Sequence, residues 1–171
     1  IYKGVVKNIV PAVDGIFVDI GIGKNAFLRR KDLLNEKRFP TEGSPILAQV
    51  IKSDTDMKGA LITEKISMFG KYAVTLSGTG YIGVSKKIRQ ESVRKRLKEI
   101  GKEICAEHMG LIIRTAAENA DMDEFRKDIT RLKENWDIIQ KRFRMEKSPT
   151  LLYRESDIIV KALRDLSLIH I

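Results

Sequence analysis

Five short β-branched segments, each cut off by Gly, Pro or Asp, fill the first third of the chain: "YKGVVKNIV", "GIFVDIG", "KNAFLRR", "PILAQVIKS" and "GALITEKIS". Segments of this kind, bounded by turn formers, read as strands. No long helical pattern lies between them, so there is nothing to cover exposed sheet edges. Closure into a barrel removes those edges. The expectation is a five-stranded OB-fold barrel over residues 1–67, an architecture whose strand face binds oligonucleotides. In "GIFVDIG", strand alternation puts Ile16, Val18 and Ile20 on one face and Phe17 and Asp19 on the other. If the aliphatic face fills the barrel, Phe17 points outward, where an aromatic ring serves base stacking or covers a small apolar patch beneath a loop.

The texture changes after Ser67. "KYAVTL" reads as a further strand, followed by the Gly-rich turn "SGTGYIG" and a basic helix from about Gln90 to Ile100. "GLII", at 110–113, has the character of a central strand and delivers Arg114 and Thr115 at its end. Beyond it, Phe125, Ile129, Leu132, Trp136, Ile139 and Phe143 recur at spacings of four and three, one apolar stripe of a long helix. Such a stripe within an α+β chain is expected to pack on a sheet, with Trp136 in the core. Asp121 followed by Glu124 supplies a variant of the capping box at its start. The fold class expected is therefore α+β, a barrel followed by a mixed α/β unit.

Charge points to the partner. The 171 residues carry a net charge of +9, and the excess concentrates in "KKIRQESVRKRLKEIGK", Lys86 to Lys102, with eight basic groups against two acidic. That bias is too one-sided for a helix face laced with ion pairs, and it favours a polyanion, nucleic acid foremost. No apolar run approaches the roughly 20 residues that span a membrane. The single cysteine, Cys105, excludes a disulfide framework or a Cys-rich zinc site and fits a reducing, cytoplasmic setting. Cys105 itself reads as a buried small hydrophobe.

Catalytic constellations are missing. His108 and His170 have no Cys or carboxylate at metal-ligand spacing. Asp54 and Asp56, in "SDTDMKG", suit a turn better than a shared cation. Binding features are better represented. An arginine fork offers paired donors to phosphate oxygens, and the Thr115 hydroxyl adds another. A salt bridge from Arg114 to Glu118, with Thr115 capping a turn, is the structural alternative, and for an isolated Arg-Thr pair it is the stronger one. Gly83 to Lys87 in "GVSKKI" add a serine and two lysines to the phosphate-binding side of that balance.

These segments carry a family resemblance. "IYKGVVKNIVPAVDGIFVDIGIGKNAFLRRKDL" resembles the RNA-binding OB-fold module named after ribosomal protein S-one. Combined with "GKYAVTL", "GVSKKI", "MGLIIRTAAE" and "TLLYRESDIIVKALRDL", it is similar to the bacterial ribonuclease E/G endoribonucleases, up to about Leu166. The resemblance implies a five-prime sensor domain at 68–158, which binds the monophosphate at an RNA end, and the start of a ribonuclease H-like subdomain at 159–166. Residues 167–171 depart from the family pattern and are expected to be a non-native tail. Arg114 and Thr115 match the family's phosphate ligands, and Gly70 and Val74 its contacts to the terminal nucleotide. Lys86 stands where the family usually has arginine, keeping the charge but losing the planar fork. On the barrel, Phe17 and Phe27 match stacking aromatics and Lys58 a basic contact.

The function so implied is single-stranded RNA cleavage in ribosomal RNA processing and messenger decay. Magnesium would be held by aspartates outside this chain, and the parent enzyme would be a homo-oligomer. The chain begins at Ile1 and reads as a fragment without the catalytic domain, expected to bind five-prime-monophosphorylated RNA but not to cut it, and to hold no cofactor itself. The competing class is a non-enzymatic OB-fold RNA-binding or ribosome-associated protein.

Overall fold

The computed structural model describes residues 1–105 and 109–154. His108, His170, the segment at 159–166 and the tail at 167–171 lie outside the described residues. The first five strands are β1 (Tyr2–Val10), β2 (Gly15–Asp19), β3 (Ala26–Arg29), β4 (Pro45–Lys52) and β5 (Leu61–Thr63). They pair in the order β1-β2-β3-β5-β4, and β4 returns to β1, closing the OB-fold barrel. All pairings are antiparallel except β3 with β5. Ile16, Val18, Ile20, Leu28 and Ile62 fill the interior at essentially zero exposure, while Phe17 and Phe27 stay half-buried outside. The alternation in "GIFVDIG" resolves as the strand period requires.

The second sheet comprises β6 (Ser67–Phe69), β7 (Ala73–Ser77), β8 (Ile82–Val84) and β9 (Met109–Ile113), in the order β6-β7-β9-β8. "GLII" is thus a central strand. β8 and β9 run parallel, which demands a long crossover connection. Helix α1 (Glu91–Ile104), one turn longer than its sequence signal, occupies that crossover. It buries Leu97 and Ile100 in a core shared with Leu111 and Ile113 of β9.

Helix α2 (Met122–Met145) lays Phe125, Ile129, Leu132 and Ile139 into the same core. Two expectations need correction here. Trp136 is only partly buried and lines a cleft of about 460 Å³ with Leu34, Glu64 and Arg144, between the barrel and α2. Trp136 packs against the core from its margin, while Ile139, one turn further on, is fully buried. The capping box is only half formed. Asp121 accepts from the Asp123 and Glu124 amides, but the Glu124 carboxylate turns away to Tyr72 and Lys71.

A strand invisible in the sequence joins the units. β10 (Thr150–Leu151) pairs with β1, Tyr2 facing Leu151 and Lys3 facing Thr150. Lys3 is only 9% exposed. Its ammonium donates to the carbonyls of Phe143 and Glu146, at 2.6 and 2.7 Å, and lies 5.0 Å from the Phe143 ring centroid. Orphan carbonyls and the negative end of the helix dipole both favour a cation at a helix C-terminus. A barrel residue thereby caps the long helix of the other unit. Lys3→Met should destabilise the chain by about 1.5–3 kcal/mol, the range for hydrogen bonds to charged groups; denaturant titration against the parent chain checks it, and an unchanged midpoint contradicts the capping role.

Candidate functional site

Two places gather the side chains that the sequence singles out. On the barrel, Phe17 and Phe27 face each other across β2 and β3, ring centroids 5.4 Å apart and inclined at 48°. The Phe27 ring lies over Gly15, where a side-chain Cβ would come within 2.4 Å of it. Glycine there lets the ring lie flat on the strand. Beside the pair opens a groove of about 630 Å³, with Asn25, Lys52, Met57 and Lys58 on its rim. Lys58 closes the turn begun by Thr55, with Thr55 N–H donating to Lys58 O at 2.8 Å. Lys24 braces that turn by donating to the carbonyls of Thr55 and Asp56. The stretch around Asp54 and Asp56 is a turn, and among the described residues no group of three or more His, Cys, Asp or Glu could hold a metal ion. Met57 projects from its tip at 90% exposure. The groove offers apolar ring faces with cations at the edge, the combination that receives stacked bases beside a phosphate backbone.

The second place is the end of the second sheet. Cross-strand register aligns Phe69, Val74, Ile112 and Gly83 in a row across all four strands. Met68, Ala73, Ile82, Leu111 and Ile113 point to the helices. By alternation the row faces the other way, and Ile112 is 40% exposed there. Arg114 follows directly, on the same parity as Ile112. It does not form the salt bridge to Glu118. Its Nη1 donates instead to the carbonyls of Gly70, at 2.9 Å, and Lys71, at 3.3 Å. Nε and Nη2 make no hydrogen bond among the described residues, so the fork is oriented by one arm with the other open. Thr115 Oγ1 lies 3.0 Å from Ser85 Oγ. Lys86, exposed, is the next residue after that serine. Gly70, Val74, Lys86, Arg114 and Thr115 are thus brought to one end of one sheet. Phe17, Phe27 and Lys58 belong to the separate barrel groove.

What holds the loop under Arg114 has no counterpart among the motifs. Asp128 on α2 is 7% exposed. It accepts from the Tyr72 amide at 2.9 Å and from Arg131 Nη2 at 2.7 Å. A Cβ on Gly70 would stand 2.4 Å from its Oδ2. Gly70 is therefore required by the carboxylate packed against it. The sequence signal was available: Asp128 interrupts the buried face of α2, beside Ile129 and one turn after Phe125. Ile112 is the other contributor that motif reasoning passed over, whereas Ser85 is the serine already singled out in "GVSKKI". Alternation along "GLIIR" indicates Ile112.

Charge around the loop is largely used internally. Tyr72 Oη donates to Glu124 Oε2 at 2.6 Å, and Lys71 Nζ lies 3.3 Å from the same oxygen. The Tyr72 bond and then Lys71 hold the Glu124 carboxyl below its ordinary range. Burial pushes the Tyr72 phenol up, and the bond to Glu124 adds to it. Lys71 is thereby committed to Glu124, which leaves Arg114, Lys86 and Lys87 as cations offered outward. Cys105 is half-buried against the core, and burial pushes its thiol up to about 11. That is the behaviour of a packing residue and not of a nucleophile.

Gly70→Ala should cost about 1–3 kcal/mol, the penalty for disturbing a buried, satisfied polar group. Chemical denaturation measures it; wild-type stability would contradict the packing of Asp128 against the glycine.

Comparison with known proteins gives a consistent picture. The model of the ribonuclease E/G family matches residues 67–170. Ribonuclease G of Escherichia coli strain K12 is 34% identical over 184 aligned residues, covering 98% of this chain and 38% of that protein. Ribonuclease E of Synechocystis sp. is 35% identical over 176, covering 97% of this chain and 26% of that protein. Ribonuclease G of Haemophilus influenzae is 34% identical over 182, covering 96% and 37%. The chain therefore spans between about a quarter and two fifths of the length of these relatives.

Proposed function

The chain belongs to the ribonuclease E/G family, and from that premise we propose that it is the RNA-binding and five-prime-sensing part of an endoribonuclease acting on single-stranded RNA. The observation that carries this reading is Arg114. Its guanidinium is steadied by the Gly70 carbonyl at 2.9 Å, keeps open donors, and follows two residues after Ile112, which is exposed and paired in register with half-buried Val74. A terminal phosphate takes the open arm of the fork and the Thr115 hydroxyl, and the terminal base lies over Val74 and Ile112. Ser85 orients Thr115, and Lys86 adds charge without a fixed direction.

The barrel groove takes bases farther along the strand, on Phe17 and Phe27, with Lys58 on the backbone. Stacking of this kind contributes about 1–3 kcal/mol per base. Binding is thus divided between an end-specific site and one indifferent to sequence. Phosphodiester hydrolysis is assigned to the rest of the parent enzyme, as is any magnesium it uses. Ribosomal RNA processing and messenger decay, in the cytoplasm, are the settings proposed for the whole enzyme.

A five-prime-monophosphorylated oligonucleotide should bind this chain more tightly than its hydroxyl-ended twin. At roughly 1.5–3 kcal/mol for a charge-assisted hydrogen bond, Arg114→Gln should weaken the phosphorylated ligand about tenfold or more and erase the difference between the two. The RNA should emerge intact from incubation with magnesium. Equal affinity of the parent chain for both ends overturns the sensing reading, and cleavage overturns the assignment of hydrolysis to the remainder of the enzyme.

A further inference from the structure

Apart from Lys86, the cations of α1 and of the turn before it are accounted for by neither site. α1 turns Leu97, Ile100 and Gly101 to the core. Lys95, Lys98 and Lys102 follow at spacings of three and four on the opposite face, all exposed. At 1.5 Å rise per residue they stand about 4.5 and 6 Å apart along the axis, a single stripe. Lys86, Lys87 and Arg89, also exposed, lie in the turn leading to the helix. None of these six side chains forms an ion pair or a hydrogen bond among the described residues. The acids of α1 do not compensate them. Glu91 pairs with Arg94 at 3.6 Å, and Glu103 with Arg126 of α2 at 3.1 Å, leaving Glu99 as the one acid of the helix without an ion pair among the described residues.

The stripe is fixed to the phosphate site. Arg94 Nη1 donates to the carbonyls of Ser85, at 2.7 Å, and Ile88, at 2.8 Å, clamping the first turn of α1 onto the segment after β8. Ser85 is the residue whose hydroxyl meets Thr115. Lys86 and Lys87 therefore begin at the rim of the Arg114 site, and the stripe continues from them along the helix. Like charges at this spacing repel one another, a cost that a bound polyanion reverses.

We propose that Lys86, Lys87, Arg89, Lys95, Lys98 and Lys102 form a second RNA-backbone surface, which holds phosphates of strands extending beyond the Arg114 site. Lysines act here as point charges, so the surface reads neither base nor end. An anionic membrane is the weaker match, because the apolar face of α1 is consumed by the core and none is left to enter a bilayer. The proposal takes RNA as ligand from the proposed function but does not depend on end sensing.

The test is the triple variant Lys95→Gln, Lys98→Gln, Lys102→Gln in the full chain, titrated with RNA over a range of salt. For an oligonucleotide long enough to run the length of α1, the slope of log affinity against log salt should fall by about 2, at about 0.7 per phosphate contact for single strands. A short oligonucleotide that fills only the Arg114 site should bind as before, and the ratio between phosphorylated and hydroxyl ends should not move. Lys→Arg at the same three positions should restore the slope. An unchanged slope with the long RNA overturns the proposal, as does loss of binding to phosphatidylserine vesicles with RNA affinity intact. A reduced slope in a chain that shows no end preference supports this surface while sinking the sensing reading, so the two fail separately.

Discussion

The second unit depends on a carboxylate placed where a side chain would otherwise be. Asp128 enters the core from α2, and a charge there is tolerated only if it is paired and hydrogen-bonded. Arg131 supplies the charge and the Tyr72 amide the bond. Gly70 is the one residue type that lets the loop approach closely enough for the second of these. The loop at 70–72 is fixed as a result, and its carbonyls orient Arg114. A flexible guanidinium on a flexible loop would lose much of its affinity to ordering. Here the loop and one arm of the fork are already ordered, the preorganisation that the proposed phosphate binding would draw on.

The same logic links the barrel to the second unit. Lys3 on β1 caps α2 while β1 also pairs with β10. Because α2 carries Asp128, the helix that the barrel caps is also the helix that sets the loop under Arg114. Gln49 of β4 adds a further tie, exchanging hydrogen bonds with the backbone of Ser67 in both directions. Aromatic groove, fork and lysine stripe thus belong to elements joined by short, satisfied polar contacts at the base of each, with the binding atoms facing out.

Much of this was legible in the sequence. The five strand segments, the central "GLII", the basic helix and the apolar stripe of α2 all declare themselves by period and punctuation, and each is present. The outward placing of Phe17 follows from alternation, while Phe27 was pointed to by the family resemblance. The features that escaped are those decided by distant partners. β10 is two residues long and exists because β1 offers an edge. Trp136 keeps the stripe's period but stands at the margin of the core, where it lines the cleft beside Leu34 and Glu64. Glu124 has the spacing of a capping box and is diverted by Tyr72 and Lys71, whose pairing with it no local rule encodes. Asp128 breaks the apolar pattern of α2 visibly, yet its reason lies 58 positions away at Gly70. For Arg114, residue type and position gave two readings. The contact that separates them from the salt-bridge side is the bond to Gly70 O in place of Glu118.

In the proposed function, the end of the second sheet, and not the barrel, recognises the terminal phosphate. Amide chemical shifts of the ¹⁵N-labelled chain, followed while a five-prime-monophosphorylated dinucleotide is added, test it most directly. The largest changes are expected at Gly70, Val74, Ile112, Arg114 and Thr115, and they should collapse when the same dinucleotide carries a hydroxyl end. Changes confined to the neighbourhood of Phe17 and Phe27, or identical for the two ligands, would contradict it.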